Sequence, residues 1–211
     1  MVGVPTLLST SYTRRMHVKA VIFDWAGVIA ADGYWAWLHK NVPSARENKA
    51  TFQELSEQVD SARISHDDFM QRLSQESGKP VDQIWDEVKR EIVIDENLVA
   101  FIRELKQKYK IGLLSNFTHA WLSEILTENN LWDLFDHNVI SSEHGIIKPE
   151  PEIFHKMLDL LEVAPGEAVF IDDRQYNVDG ANAVGIKGLL YTDLETLKKD
   201  LNEIGAIRVG F

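Results

Sequence analysis

Short apolar runs that halt at a polar residue, each followed by a stretch with helical spacing, constrain this chain more than any other feature. Val21-Ile22-Phe23 halts at Asp24, Ile111-Gly112-Leu113-Leu114 at Ser115, and Val169-Phe170-Ile171 at Asp172. Residues 18–24 read as a buried central strand, because continuous apolar residues mark a strand covered on both faces. Further strands are expected at 111–115, 139–140, 169–171 and 188–191. Between and after them, apolar residues recur every three or four positions. Examples are Leu98, Ile102 and Leu105; Trp121, Ile125 and Leu126; Ile153, Met157 and Leu161; and Leu194, Leu197, Leu201 and Ile204. Repeated strand–helix units imply an α/β fold, a parallel sheet with helices on both faces. Ligands of such sheets bind beyond the carboxyl ends of the strands. Asp24, Ser115 and Asp173 all fall at such ends.

Residues 34–92 have another texture, rich in Gln, Glu and Ser. Phe52, Leu55 and Val59 lie at helical spacing. Ser65 followed by Asp68 signals a helix start, with Phe69 and Leu73 inside it. Gly78-Lys79-Pro80 breaks the chain before Ile84, Val88 and Ile92 form another apolar face. The expected organisation is a core from 16–32 and 93–211, a helical insert over 33–92, and an N-terminal extension over 1–15. In the extension a short apolar run precedes Arg14-Arg15, the reverse of a secretory signal. It is expected to be disordered.

The formal net charge of −11 repels nucleic acid and anionic membranes. No apolar run approaches the ~18 residues of a spanning helix. Neither nucleic acid nor membrane is therefore expected as a partner. The chain has no Cys, which removes disulfide and thiol chemistry and fits a cytoplasmic location. The same net charge repels phosphorylated ligands at long range, so a phosphate site needs local positive charge.

Read in order, the strand ends and one loop supply a nucleophilic carboxylate (Asp24), a small hydroxyl (Ser115), a lone cation before Pro (Lys148) and a carboxylate pair (Asp172-Asp173). These are the parts that handle a phosphoryl group through an aspartyl intermediate. Their order and spacing over roughly residues 18–192 resemble the haloacid dehalogenase-like (HAD) superfamily of hydrolases. The resemblance implies a Rossmannoid three-layer core with a small α-helical cap inserted after the first strand. It also implies a Mg²⁺-dependent phosphatase acting on a small phosphorylated metabolite. In that reading Asp24 attacks phosphorus, Ser115 and Asn116 bind the phosphate, and Lys148 neutralises nucleophile and phosphate together. Asp24, the backbone carbonyl of Ala26 and Asp173 hold the metal. Asp172 is a further ligand or an acceptor behind the first ones, and Asn177 holds the following turn or a metal water. Lys148-Pro149-Glu150-Pro151-Glu152-Ile153-Phe154 looks like the subgroup of sugar-phosphate phosphatases and the N-terminal phosphatase domain of soluble epoxide hydrolase.

Ala26 departs from that pattern. Many HAD phosphatases carry there a second Asp that protonates the leaving oxygen, a contribution of about 10²–10⁴-fold. Either the leaving group needs no proton, or another group supplies it, such as a cap residue or metal-oriented water, or the protein is a catalytically weak binder of a phosphometabolite or partner. His119, just after Ser115-Asn116, is one candidate donor. Tyr34, Trp35, Trp37, His39 and Lys40 open the insert and either touch substrate or pack its core. Asp24-Trp25-Ala26-Gly27 also resembles the first motif of phosphonoacetaldehyde hydrolases. Those enzymes need a Schiff-base Lys, and neither Lys40 nor Lys49 has the expected flanks; Val28 also replaces their usual Thr. Haloacid dehalogenases do without a metal, so the Asp172-Asp173 pair argues against that activity. Phosphatase is the first reading and the binder the second.

Overall fold

The computed structural model describes residues 17–207. The extension expected over 1–15 lies outside the described residues. Five strands, β1 (Ala20–Phe23), β2 (Lys110–Ser115), β3 (His137–Ile140), β4 (Ala168–Asp172) and β5 (Lys187–Leu190), form one sheet in the order β3-β2-β1-β4-β5. Every neighbouring pair is parallel. Phe23 stands opposite Leu113 on one side and Ile171 on the other. The carboxyl ends of β1, β2 and β4 therefore finish side by side at the centre of the sheet.

The apolar runs are continuous because both faces are covered. Val21, Phe23, Ile111, Leu113, Val169 and Ile171 enter one apolar cluster, with Leu98, Ile102 and Leu126. Ala20, Ile22, Leu114 and Phe170 enter another, with Ile153, Phe154 and Met157. The alternation is that of a pleated strand, with a dry layer on each side. The covering helices come from the predicted periodic segments. In chain order the helices are α1 (Gly33–Asn41), α2 (Lys49–Asp60), α3 (His66–Ser77), α4 (Val81–Glu91), α5 (Glu96–Lys106), α6 (His119–Glu128), α7 (Pro151–Leu161), α8 (Gln175–Ala183) and α9 (Leu194–Glu203).

Helices α1 to α4 follow β1 and pack around their own apolar cluster, which contains Trp37, Phe52, Leu55, Phe69, Leu73, Ile84 and Val88. Ser65 caps α3 by accepting from Asp68 N at 3.0 Å, and Gly78 ends it with φ +69. Both are the signals that Ser65…Asp68 and Gly78 carry in sequence. The chain leaves β1 and returns to α5 through paired segments. Ala31 N donates to Val93 O and Asp95 N to Ile29 O, each at 2.9 Å. Trp121 of α6 reaches into the cluster of α1–α4 and stacks on Trp85 with centroids 4.5 Å apart. Trp85 Nε1 also donates to Glu124 at 2.7 Å. These contacts seat the four helices over the carboxyl end of the sheet. No described helix is long and apolar enough to cross a membrane.

Candidate active site

Asp24 follows β1, and its N–H continues the ladder to Ile171 O at 2.9 Å. Its side chain is buried. Oδ1 accepts from Trp25 N at 2.7 Å and from Lys148 Nζ at 2.8 Å. Oδ2 has no hydrogen-bond or ion-pair partner among the described residues. The carboxylate is thus fixed through one oxygen and open at the other.

Lys148 is buried between two carboxylates, 2.8 Å from Asp24 and 2.7 Å from Asp172 Oδ2. Its place depends on Asn116. The Asn116 amide donates to Lys148 O at 2.9 Å, and its Oδ1 accepts from Lys148 N at 2.7 Å. The Asn116 side chain is therefore committed to the lysine loop. With the side chain so engaged, the backbone N–H is the group of Asn116 left for the phosphate contact the sequence suggests. Ser115 ends β2, fully buried, with its Oγ lacking a hydrogen-bond partner among the described residues. An unpaired buried hydroxyl is costly unless a ligand satisfies it.

Asp172 ends β4 and is saturated. Its Oδ1 accepts from Arg174 N at 2.8 Å and Asn177 Nδ2 at 3.1 Å; its Oδ2 accepts from Lys148 and from Asn177 Nδ2 at 3.0 Å. Asn177 therefore orients Asp172 rather than a turn alone. Asp173 points to the more open side, one-third exposed, with Arg174 Nε 4.0 Å away. One carboxylate oxygen from each of Asp24, Asp172 and Asp173 can be chosen so that all lie within 4.8 Å of one another. This oxygen-only set fits a hard divalent cation. Ala26 makes a single bridge to Ala30 and lines the adjoining cavity.

Gly27 makes the convergence possible. Its φ is +86, and a Cβ there would stand 2.4 Å from Asp173 Oδ2. Gly27→Ala is expected to lower stability by about 1–2 kcal/mol or more through backbone conformation alone. It should also weaken divalent-cation binding by displacing Asp173. Thermal unfolding during a Mg²⁺ titration reads both effects; unchanged Mg²⁺ affinity would mean that Asp173 does not hold the ion from this position.

The electrostatics point the same way. Burial pushes the Asp24 carboxyl up to about 7, against the pull of Lys148 and with the help of Asp172. Burial likewise raises Asp173, and Asp172 adds to it. Burial disfavours the Lys148 ammonium, but Asp172 and Asp24 outweigh it and hold the proton on. The cluster thus carries more carboxylate than one lysine compensates, the demand that a divalent cation meets.

A cavity of about 410 Å³ opens between the strand ends and the insert. Asp24, Asn116 and Lys148 line one end; Tyr34, Trp35, Phe69, Phe117 and Trp121 form an aromatic wall. Of the insert residues singled out in sequence, Tyr34 and Trp35 reach this cavity. Trp37 is buried in the insert core and bonds to Glu87 at 2.9 Å, while His39 and Lys40 are exposed. His119 pairs with Glu143 at 3.1 Å on the surface and is absent from the cavity wall. Sequence reasoning missed Asp32, Glu57, Asp60 and Arg174, all on that wall. Arg174 lies between Asp173 and Asp32, the residue that caps α1, with its Nη2 3.5 Å from Asp32 Oδ2.

Residues 18–185 match the family model "haloacid dehalogenase-like hydrolase". The chain is 28% identical over 180 residues to the sesquiterpene phosphatase astK of Aspergillus oryzae, covering 83% of this chain and 90% of that protein. It is 27% identical over 187 residues to the D-ribitol-5-phosphate phosphatase of Bacteroides thetaiotaomicron, covering 81% and 90% respectively. A HAD family enzyme of Bacteroides thetaiotaomicron, solved in complex with magnesium and inorganic phosphate, shares the fold with a TM-score of 0.70. That match has 22% identity and covers 85% of this chain and 98% of the other. A match running through β1, the insert, β2, β4 and α8 places this chain in the haloacid dehalogenase-like hydrolase family.

Proposed function

We propose that this protein is a Mg²⁺-dependent phosphatase that hydrolyses a small phosphomonoester through an aspartyl-phosphate intermediate. The observation that carries the reading is Asp24. One of its oxygens is anchored by Trp25 and Lys148 and the other is open at the end of a ligand-sized cavity. Two relatives that span most of the chain are phosphatases by name, and a structural neighbour holds magnesium and phosphate.

In this mechanism the open oxygen of Asp24 attacks phosphorus and the bond to the leaving oxygen breaks. Lys148 keeps nucleophile and phosphoryl oxygens together despite their like charge. The Ser115 hydroxyl donates to a phosphate oxygen, and the Asn116 backbone N–H joins it. Asp24, Asp173 and the Ala26 carbonyl would hold the metal, with Asp172 behind them fixing Lys148. Bound Mg²⁺ supplies the positive charge that offsets the phosphoryl oxygens. Water then hydrolyses the acyl phosphate and frees Asp24. The aromatic wall favours an alcohol portion with an apolar face. The partner is a small phosphorylated metabolite, met by the local positive charge of Lys148 and a bound cation, while the acidic surface disfavours nucleic acid and anionic membranes.

Phosphate release from a panel of phosphorylated metabolites, with acetyl phosphate and p-nitrophenyl phosphate alongside, tests the proposal. Mg²⁺ should support turnover and EDTA should remove it, with recovery when Mg²⁺ is returned in excess. Ala26 favours a second reading, a protein that binds a phosphometabolite without processing it. That reading is expected to give ligand-induced thermal stabilisation across the panel with no phosphate released.

A further inference from the structure

A phosphatase with Ala26 after its nucleophile still has to protonate the leaving oxygen of an alkyl phosphate. A side-chain donor has to be a titratable group on the cavity wall that is not committed elsewhere. Asp32 is committed: its Oδ1 caps α1 through Trp35 N at 3.2 Å, and its Oδ2 faces Arg174. Glu57 accepts from Gln53 Nε2 at 3.1 Å. Tyr34 donates to Phe52 O at 3.4 Å, and burial holds its proton on more firmly than usual. Tyr176 is nearly half exposed and accepts from Arg174. Lys148 is locked between Asp24 and Asp172.

Asp60 remains. It is the last residue of α2, partly buried, and it lines the same cavity as Asp24 and Lys148. Its side chain has no hydrogen bond or ion pair among the described residues, although its neighbours on the wall are mostly paired. We propose that Asp60 is the general acid for the leaving group, supplying from the insert the proton that position 26 cannot. The inference rests on the phosphatase reading above.

The charges that face Asp60 come from both the insert and the core. Burial pushes its carboxyl up first, and Asp32 and Glu57 add to that; Arg174 and Lys148 pull it down. The balance lies at about 8. A carboxyl raised in this way keeps its proton below that pH and loses it above, which leaves it a donor at neutrality.

The step balances. Asp24 forms a bond to phosphorus as the phosphorus–alkoxide bond breaks, and the Asp60 proton passes to the alkoxide oxygen, releasing the alcohol. Asp60, now a carboxylate, takes a proton from the water that attacks the aspartyl phosphate. Inorganic phosphate leaves, Asp24 returns to a carboxylate and Asp60 is protonated again. Because Asp60 sits on the insert, the acid is in place only when α2 is seated over the strand ends.

The test compares substrates whose leaving groups differ in their need for a proton. For Asp60→Asn, kcat/KM on the best alkyl phosphate of the panel should fall about 10²-fold or more, while kcat/KM for acetyl phosphate, which does not report the shared hydrolysis of the aspartyl phosphate, changes little. In the wild type, kcat/KM for the alkyl phosphate should decline relative to kcat/KM for acetyl phosphate as pH rises through about 8. That wild-type comparison needs no variant, so it decides the matter even if Asp60→Asn folds poorly. An equal loss on both substrates, a change in KM alone, or matching pH profiles would overturn the assignment. Wild-type turnover with any of those outcomes rejects Asp60 and leaves the phosphatase standing. A wild type that releases phosphate from neither substrate removes both.

Discussion

Asp24→Asn should cut kcat by at least about 10³-fold on every phosphate ester the wild type hydrolyses, because removal of a nucleophile leaves only the residual catalysis of binding and charge. The amide matches the carboxylate in shape and can still accept from Trp25 N–H, whose bond to Asp24 is 2.7 Å. Lys148 keeps its 2.7 Å pair with Asp172. The fold is therefore expected to survive while the chemistry stops. Stability supplies an independent sign. Burial holds the native Asp24 carboxyl near 7, above its unfolded value of 3.8. The native state thus binds the extra proton, and the wild type loses stability as pH rises from about 4 to 7. Asn has no proton to lose. In metal-free protein, Asp24→Asn should gain on the wild type across that window, and urea unfolding at several pH values measures it. A variant that loses the same stability at every pH would contradict the burial argument. One that keeps its turnover would remove Asp24 from the reaction.

Lys148→Met should strongly destabilise the folded state. It removes the shared partner of Asp24 and Asp172, which lie 2.8 and 2.7 Å from the ammonium. Breaking a buried ion pair by deleting one member costs about 3–5 kcal/mol, because the remaining charge stays buried and unpaired. Here two carboxylates are left facing each other. Protonation of Asp24, already favoured by burial, relieves the repulsion, so the deficit should be largest at alkaline pH and should shrink as pH falls. Divalent cation should also restore part of the loss. Turnover should disappear, since Arg174, the other fixed cation on the described cavity wall, faces Asp32 and Tyr176 and has no ion pair with Asp24 among the described residues. Denaturant unfolding with and without Mg²⁺ checks the stability claim. A Lys148→Met variant as stable as the wild type at pH 8 would show that the pair is not the clasp described here.

The parts of this site that were legible in sequence are those that the sheet dictates. A central parallel strand, dry on both faces, writes itself as an unbroken apolar run, so its polar terminus is conspicuous. That is why Asp24, Ser115 and the Asp172-Asp173 pair could be placed at adjoining strand ends, and the register of β1 between β2 and β4 puts them there. Lys148 was visible as the lone cation ahead of Pro149. Asn116 was visible too, but its commitment to the Lys148 backbone was not, because that pairing spans 32 positions in the chain.

The insert was legible as helices and not as a surface. Phe52, Leu55 and Val59 announce the buried face of α2, and all three pack in the insert cluster. Asp60 stands one residue past Val59, and no periodicity says whether that direction looks toward solvent or toward the sheet. Packing decides it, through Trp121 reaching from α6 onto Trp85 of α4. The same uncertainty divides Tyr34 and Trp35, which line the cavity, from Trp37, which packs away from it. His119 shows the opposite error. Nearness in sequence to Ser115 makes it attractive as a donor, yet the first turn of α6 aims it at Glu143.

The central claim is that the Asp24 carboxylate and a divalent cation act on one phosphoryl group. Beryllium fluoride, which mimics an acyl phosphate on an aspartate, tests that claim without knowledge of the substrate. Fluorine NMR of the wild type should show a bound resonance that needs Mg²⁺ and is absent from Asp24→Asn. A bound resonance that persists in Asp24→Asn, or none in the wild type at saturating Mg²⁺, would contradict it.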